Sequence, residues 1–395
     1  MLFWLACIAA AWNVACASSS PFRVPTSRKI ERLKRHCNRL TALQKQIRFA
    51  PLDSFTLGDK TYKLPLKAVP PPSHIPAQQE LEYLVGFFDG DGCVTMIKQR
   101  GSISLRVGQA LDSASVLMRF RDSLGGGIYL ERVRTGAQQA SLQWVVCSTT
   151  MQHAARVLCK VPSMQRAQLQ IAAAGTIIEA DRSDVAQKLK QLKQNDHVPA
   201  RFHCSWPYFA GFFDAEGSIS VGGCAGLQLK VWQKNPFVLQ ELHSFLHSRE
   251  LTKWRLRLMS GGGNALECTQ LATCKLTLRH LLDAGLEVKQ RQAALALSLT
   301  FDNHKQVRDK VLALNGLQNK NDILDDAGIE RAKEIKSLYE KCRRASSQQE
   351  WELLQAKLEA LREEHELEKL ITKCVRLRGS IRHSLQMDGG FMLPS

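Results

Sequence analysis

Two acidic residues stand in matching surroundings. Residues 84–92 read LVGFFDGDG and residues 209–217 read FAGFFDAEG. Each is an apolar, small-residue run that ends in an acidic cluster and a glycine. Aligned, they place Asp91 opposite Glu216, 125 residues further on. A repeated helix ending in a carboxylate implies two pseudo-symmetric halves that bring two acids together. Carboxylate oxygens are hard donors suited to divalent cations. Such ions lower the pKa of an attacking water and stabilise a leaving oxygen. The bland alternative is a glycine-mediated helix contact with solvent-facing acids, and two copies in register count against it.

The elements that must position these acids are also written twice. In the first copy a helix over 81–90 precedes strands 93–99 and 102–109, with a turn at Arg100-Gly101. A helix follows over 112–124, where Val116, Leu117, Phe120 and Leu124 fall at helical spacing. Gly125-Gly126-Gly127 ends it. Strands 128–135 and 140–147 and helices 150–160 and 164–178 complete the unit. The second copy predicts helix 206–215, strands 218–222 and 226–233, helix 236–248, strands near 253–259 and 264–269, and helices 272–284 and 288–299. Register holds outside the motif: Gln109 matches Gln233 and Arg166 matches Arg291. A repeat sustained this far is a duplication signal.

Bulk composition narrows the partner. The chain has 395 residues, with 54 Lys+Arg against 37 Asp+Glu, a net charge of +17. That excess favours a polyanion, nucleic acid ahead of an anionic membrane. The 12 cysteines are scattered with no CxxC pair. Zinc needs closely spaced ligand pairs, so they read as small apolar residues or free thiols, not as a disulfide scaffold.

The ends of the chain read differently. Residues 1–50 are expected to be a targeting segment. Residues 2–17 are apolar but short for a membrane span, and end in Ala15-Cys16-Ala17, a small-x-small cleavage pattern. A Ser-rich, Arg-rich, acid-poor stretch follows, from Ser18 to Arg48. This order suits a plastid, with a mitochondrion as the alternative and secretion as the bland reading. No stable membrane association is expected after targeting. Six prolines mark 51–78 as a linker. The first half is expected over 79–178, an inter-half linker over 179–205 and the second half over 206–320. Residues 321–376 read as a helical extension and 377–395 as a disordered tail.

On its two nine-residue motifs and the duplicated order over about 81–320, the chain resembles the LAGLIDADG homing endonucleases in their single-chain, two-motif form. The segments Lys289-Gln-Arg291-Gln-Ala and Leu314-Asn315-Gly316-Leu317-Gln318 also look family-like. The resemblance implies an α+β fold: pseudo-two-fold duplicated αββαββα halves with antiparallel DNA-binding saddle sheets, here with a C-terminal helical extension. It implies metal-dependent hydrolysis of double-stranded DNA by a monomer, with Mg²⁺ or Mn²⁺ held by Asp91 and Glu216, one strand to each acid. It implies that Gln109 and Gln233 position water near the metals and that Lys289 sits near the scissile phosphate. The first half departs from the pattern at Met164, with Lys160 and Arg166 as substitutes. That asymmetry permits a nickase-like enzyme.

Physical reasons accompany the resemblance. Gly86 and Gly211 lack side chains, so two motif helices can approach closely there. Asp89 and Asp214 read as supports of the helix ends. Gly90 opposite Ala215 needs no functional reading. On strand parity, Thr95, Ile97, Gln99, Ser102, Ser104, Arg106, Arg132 and Arg134 face DNA from the first half. Ser218, Ser220, Gln228, Lys230, Arg255 and Arg257 do so from the second. An Arg-x-Arg pair on a strand keeps both cations on one face, able to meet guanine edges or phosphates.

Two other classes stand beside the nuclease. One is a non-cleaving binder on the same scaffold, an intron maturase or organellar RNA-processing factor whose partner is intron RNA. The basic N-terminus, Met164 and the helical tail favour it. The other is a structural nucleoid or ribosome-associated protein. Retention of both acids argues against each, because a binder need not desolvate two carboxylates side by side. Residues 329–375 offer a helical surface for a further partner.

Overall fold

The apolar side of each strand and the apolar stripe of each helix need a common core, and the chain supplies one in a mixed α+β body. A computed structural model describes residues 26–97, 102–175, 182–194, 202, 204–222, 225–259, 262–314, 324–386 and 389–392. Two compact units divide it: residues 45–320 with 383–395, and residues 1–44 with 321–382.

In the larger unit a first motif helix, Gln78–Asp91, leads to strands Gly92–Ile97 and Ser102–Ala110, helix Ala114–Leu124, strands Gly126–Arg132 and Ser141–Cys147, and helices Ser148–Leu158 and Arg166–Ala174. The order recurs with motif helix Trp206–Glu216, strands Gly217–Val221 and Leu227–Gln233, helix Pro236–Ser248, strands Arg255–Leu258 and Asn264–Cys268, and helices Leu271–Asp283 and Gln290–Leu297. Helix Ala114–Leu124 stops where Gly125 takes a φ of +76°, open to glycine at little cost. Ser205 starts the second motif helix: its hydroxyl accepts from the Tyr208 N–H at 3.2 Å, with Pro207 in the first turn.

Both sheets are antiparallel. The second is ordered Arg255–Leu258, Asn264–Cys268, Leu227–Gln233, Gly217–Val221. The first has the matching four strands plus one more, Leu66–Val69, paired with Gly126–Arg132. This corrects the reading of 51–78 as a linker. Strands Ser54–Leu57 and Lys60–Lys63 also form a hairpin there, with Phe55 buried. Proline spacing concealed them, since an edge strand tolerates proline at its ends. The inner faces bury Val94, Ile103, Leu105, Val107, Leu142 and Trp144 in the first half, and Ile219, Leu229, Val231 and Leu266 in the second. Within the expected inter-half linker, 179–205, the described residues include a helix, Arg182–Gln194.

The described residues of the smaller unit are helical apart from short connections. Asp326–Arg344 and the 39-residue Gln348–Gln386 come from the C-terminus. The second continues to Gln386, which corrects the reading of 377–395 as disordered as far as that residue. Phe391–Met392 then pairs with Ile47–Arg48 within the larger unit. Helix Thr26–Gln46 joins the C-terminal helices, its Ile30, Cys37 and Leu40 buried with Leu370, Cys374 and Leu377. The turn Arg100-Gly101 and the segment Leu2–Ala17 lie outside the described residues.

Candidate active site

Backbone contact sets the site. A Cβ on Gly86 would overlap the Tyr208 carbonyl oxygen and lie 3.1 Å from the Phe212 nitrogen. A Cβ on Gly211 would overlap the Tyr83 carbonyl oxygen and lie 2.8 Å from the Phe87 nitrogen. The two motif helices therefore touch backbone to backbone, reciprocally. Gly90 belongs to the same seam, which corrects its reading as neutral. A Cβ there would overlap that of Ala215 and stand 3.1 Å from Cγ of Glu216. The first half's last turn thus rests on the base of the second half's acid.

Tyrosines cross-brace the seam. Tyr83 donates from its hydroxyl to Asp214 at 2.8 Å, and Tyr208 to Asp89 at 2.9 Å. Each aspartate also gathers a loop of its own half. Asp89 accepts from the Ser163 hydroxyl at 2.6 Å and from the N–H groups of Met164 and Gln165 at 2.8 and 3.3 Å. Asp214 accepts from the N–H groups of Glu287, Val288 and Lys289 at 2.7, 3.1 and 2.8 Å. Burial pushes the Asp89 carboxyl up to about 6 even against these donors, and raises Asp214 as well.

Asp91 and Glu216 end their helices as neighbours. Asp91 touches solvent, but the crowding protein around it pushes its carboxyl up to about 6. Glu216 rises to about 7, first by desolvation and then by repulsion from Asp91. Gln109 donates to Asp91 Oδ2 at 2.6 Å and Gln233 to Glu216 Oε1 at 3.3 Å. Lys289 donates from Nζ to the Asp214 carbonyl oxygen, so its ammonium sits beside the pair. Burial lowers its pKa, against the pull of Asp214, Asp91 and Glu216. The sequence-predicted residues Asp91, Glu216, Gln109, Gln233 and Lys289 thus converge.

The halves differ in one cation. Met164 occupies the place of Lys289, donating its N–H to Asp89 as Lys289 does to Asp214. Arg166 turns away, donating to the Cys159 carbonyl at 3.1 Å. Lys160 is exposed on the turn before that loop. Sequence reading missed Lys193, on helix Arg182–Gln194, whose Nζ lies 3.0 Å from Cys93 Sγ. A cleft of ≈ 680 Å³ opens beside it, lined by Met164, Gln165, Lys193, Gln233 and Lys234. Only tertiary placement could reveal that lysine, which carries no motif.

The donor set fits a hard divalent cation. Two crowded carboxylates repel, and a cation between them would relieve that repulsion. Among the described residues no group of three His, Cys, Asp or Glu side chains surrounds a metal position. A cation held by these two acids would draw its remaining ligands from waters, backbone oxygens or phosphate, the usual complement for Mg²⁺.

The sheets place polar side chains on the face opposite the core. Cys93, Thr95 and Ile97 pair with Arg106, Ser104 and Ser102 across the first hairpin. A cleft of ≈ 520 Å³ lies over this face, lined by Asp91, Thr95, Arg106, Gln109, Glu131 and Arg132. Ser104 departs from the expected exposure: it is fully buried and accepts from Arg106 Nε at 3.0 Å, so it holds that arginine. Arg134 also departs, lying past the strand end with its guanidinium 4.1 Å over the Phe49 ring. Gln99 lies outside the described residues. In the second half Ser218 and Ser220 are exposed opposite Lys230 and Gln228. Arg255 and Arg257 are exposed on the edge strand.

Two acids on these faces were missed. Glu131 accepts from Ser141 and Gln143, at 2.9 and 3.3 Å, and Glu267 pairs with Arg257 and accepts from Gln228 at 3.3 Å. Exposed Trp232 was missed too. The period-two rule that picked Lys230 would have found Glu267 and Trp232. It sets Glu131 on the face opposite Arg132, and the register shift between Leu130 and Arg132 is what brings Glu131 here.

No protein-family model matches the chain, and no curated protein sequence matches it. Among solved structures, the LAGLIDADG meganuclease I-AabMI bound to uncleaved DNA matches at 16% identity, over 60% of this chain and 99% of that one, with a TM-score of 0.47. I-SmaMI, bound to its uncleaved DNA target in the presence of calcium ions, matches at 13%, over 61% and 99%, with 0.45. The LAGLIDADG homing endonuclease I-GzeII, in complex with a DNA target, matches at 12%, over 64% and 99%, with 0.45. At these identities the likeness is one of fold alone.

Proposed function

We propose that this chain is a site-specific, divalent-metal-dependent endonuclease that hydrolyses double-stranded DNA. The observation that carries this reading is the meeting of Asp91 and Glu216 at the end of a glycine-lined helix seam, each with its own glutamine donor. No packing need explains two carboxylates held close enough for Asp91 to raise the pKa of Glu216. Mg²⁺ or Mn²⁺, held by Asp91 and Glu216, would supply an activated water and charge neutralisation at phosphorus. Gln109 and Gln233 fix the orientation of the two carboxylates. Lys289 places a cation beside them, where a phosphate's developing charge would fall.

In this reading the two antiparallel sheets form a saddle whose polar faces enter the major groove, which admits a β-ribbon. Arg106, Arg132, Lys230, Arg255 and Arg257 then meet phosphates or base edges, and Thr95, Ser220 and Gln228 lie between them. Glu131 and Glu267 hold neighbouring side chains in fixed rotamers, and Glu267 can accept from a cytosine amine. A plastid, or else a mitochondrion, is the compartment proposed, on the order of the N-terminal segments in the sequence. Among the described residues no helix is long and apolar enough to cross a membrane.

Met164 favours a second reading, a binder of intron RNA without cleavage, because the first half lacks the amine its counterpart has. One experiment separates the two. A cleavage selection on a randomised duplex library with Mg²⁺ is run beside Asp91→Asn and Glu216→Gln. The nuclease reading expects enriched cut sites that vanish in both variants. No cut site, together with tight binding of structured RNA, would overturn it.

A further inference from the structure

The smaller unit concentrates charge in an unusual way. Helix Thr26–Gln46 carries seven Lys and Arg against one Glu. It packs on the C-terminal half of helix Gln348–Gln386, where residues 369–386 carry five Lys and Arg and no acid. Together these two segments hold a positive excess of eleven, well over half of the chain's net charge of +17. The first half of the same long helix is the reverse, with seven Glu against two basic residues over 348–368. Acids are therefore present in that helix but absent from residues 369–386, with Glu366 at the edge of the contact pairing with Lys34.

The contact between these helices is apolar. Ile30, Cys37 and Leu40 are buried against Leu370, Cys374 and Leu377, and Gln44 donates to Ser380 at 2.9 Å. Cations crowd its margin. Arg378 lies 2.7 Å from His36, whose pKa is lowered by burial and by Arg378, Arg39 and Arg32. Arg28, Lys29, Arg32, Arg35 and Arg39 are all exposed on the N-terminal helix. The acids nearest this face, Glu31 and Glu366, both pair with Lys34, at 3.6 and 3.8 Å. Like charges packed this densely repel, and a surface serving only solubility intersperses both signs. The arrangement gains stability when a polyanion lies along it.

We propose that these paired basic helices form a second nucleic-acid surface, which grips the phosphate backbone of duplex DNA without reading its sequence. The exposed side of helix Thr26–Gln46 is a run of arginines and lysines with no exposed aromatic for base stacking, which fits backbone contact. Its 21 residues extend about 31 Å, comparable to one helical turn of the duplex at about 34 Å. The choice of duplex DNA over RNA rests on the endonuclease reading; the presence of an electrostatic nucleic-acid surface does not.

The test uses the full chain and a duplex of random sequence, in a titration of affinity against salt. Replacing Arg28, Arg32, Arg35 and Arg39 together by Gln is expected to weaken binding at least about tenfold near 0.1 M salt. The slope of log K against log salt should flatten by about 2 to 3.6, as four phosphate contacts are lost. A second variant with the same four arginines changed to Lys should keep most of the affinity and the slope. Circular dichroism and a melting curve check that both variants fold. Unchanged affinity and slope in a folded Gln variant would overturn the proposal, as would equal losses in the Gln and Lys variants. Stronger binding to vesicles of anionic phospholipid, or to the matching RNA duplex, would assign the surface to another partner and overturn it too. Cleavage is not read in this experiment. If the wild type cuts nothing but the slope still flattens, the endonuclease reading falls while this surface stands.

Discussion

At the residue scale, the two terminal acids of the motif helices carry the proposed chemistry and a cost in stability. Asp91 and Glu216 hold their protons to about pH 6 and about pH 7, well above the ordinary values of 3.8 and 4.5. The folded chain therefore binds more protons than the unfolded one between about pH 4 and 7. Stability attributable to these groups falls as pH rises through that window. Glu216→Gln removes the repulsion and should melt higher than wild type at pH 8 in a chelator, by about 1–2 kcal/mol after allowance for solvent screening. The gap should close toward pH 4. A melting series over pH checks this, and a variant less stable than wild type at pH 8 would show that the acids do not repel. On the endonuclease reading cleavage runs the other way, since a divalent cation would bind both carboxylates ionised. Its rate with Mg²⁺ should drop steeply below about pH 6, less sharply at high metal, because the cation competes with the proton.

The asymmetry at Lys289 and Met164 also belongs to this scale. One half places an amine beside the acids, and the other has Met164, which carries no amine, at the matching position. The two strands should then be cut at different rates, and a nicked plasmid should accumulate before the linear product. Lys289→Met should slow cleavage by about 10²-fold or more, the order lost with one electrostatic donor at a transition state. Its melting point should not fall. Linear product appearing with no nicked intermediate would show that the missing amine is replaced from elsewhere, with Lys193, beside Cys93, one candidate.

At the scale of elements, the helix seam links fold to site. Gly86 and Gly211 each face the partner's carbonyl oxygen, with no room for a methyl group. Gly86→Ala should cost at least about 1–3 kcal/mol from overpacking and reduce cleavage more than stability alone explains. Gly90→Ala tests the second effect more cleanly. It pushes on Ala215 and Glu216, so cleavage should fall while binding of duplex persists. An active Gly90→Ala enzyme would mean that the acids do not depend on this contact. Most of this level was legible beforehand. Period-two strands, amphipathic helices and the doubled motif place all the sheet strands of the repeat within a few residues, because burial on one face writes the period into the sequence. Gly90 was not legible, since its neighbour across the seam is 125 residues away. The same holds for the crossing of Tyr83 to Asp214 and Tyr208 to Asp89, which sequence order cannot show. Strand Leu66–Val69 was hidden by its prolines.

For the molecule as a whole, composition was least decisive where the charge is greatest. A basic, acid-poor segment before the body reads equally as an organellar address or as a nucleic-acid-binding helix, because both need positive charge without acids. What separates them is the apolar stripe Ile30, Leu33, Cys37 and Leu40, which finds a partner 333 residues or more further along the chain. If that stripe is part of the working protein, any processing must cut before helix Thr26–Gln46. N-terminal sequencing of the mature chain should then give a start at or before residue 26. Removing residues 1–25 should leave the melting curve unchanged. Removing residues 1–46 should expose Leu370, Cys374 and Leu377 to water, a loss of several buried apolar side chains at about 1.5–3 kcal/mol each, and produce aggregation or a lower melting transition. A truncation at 46 that melts like the full chain would show that the N-terminal helix is dispensable to the C-terminal ones, and would return residues 26–46 to the role of an address.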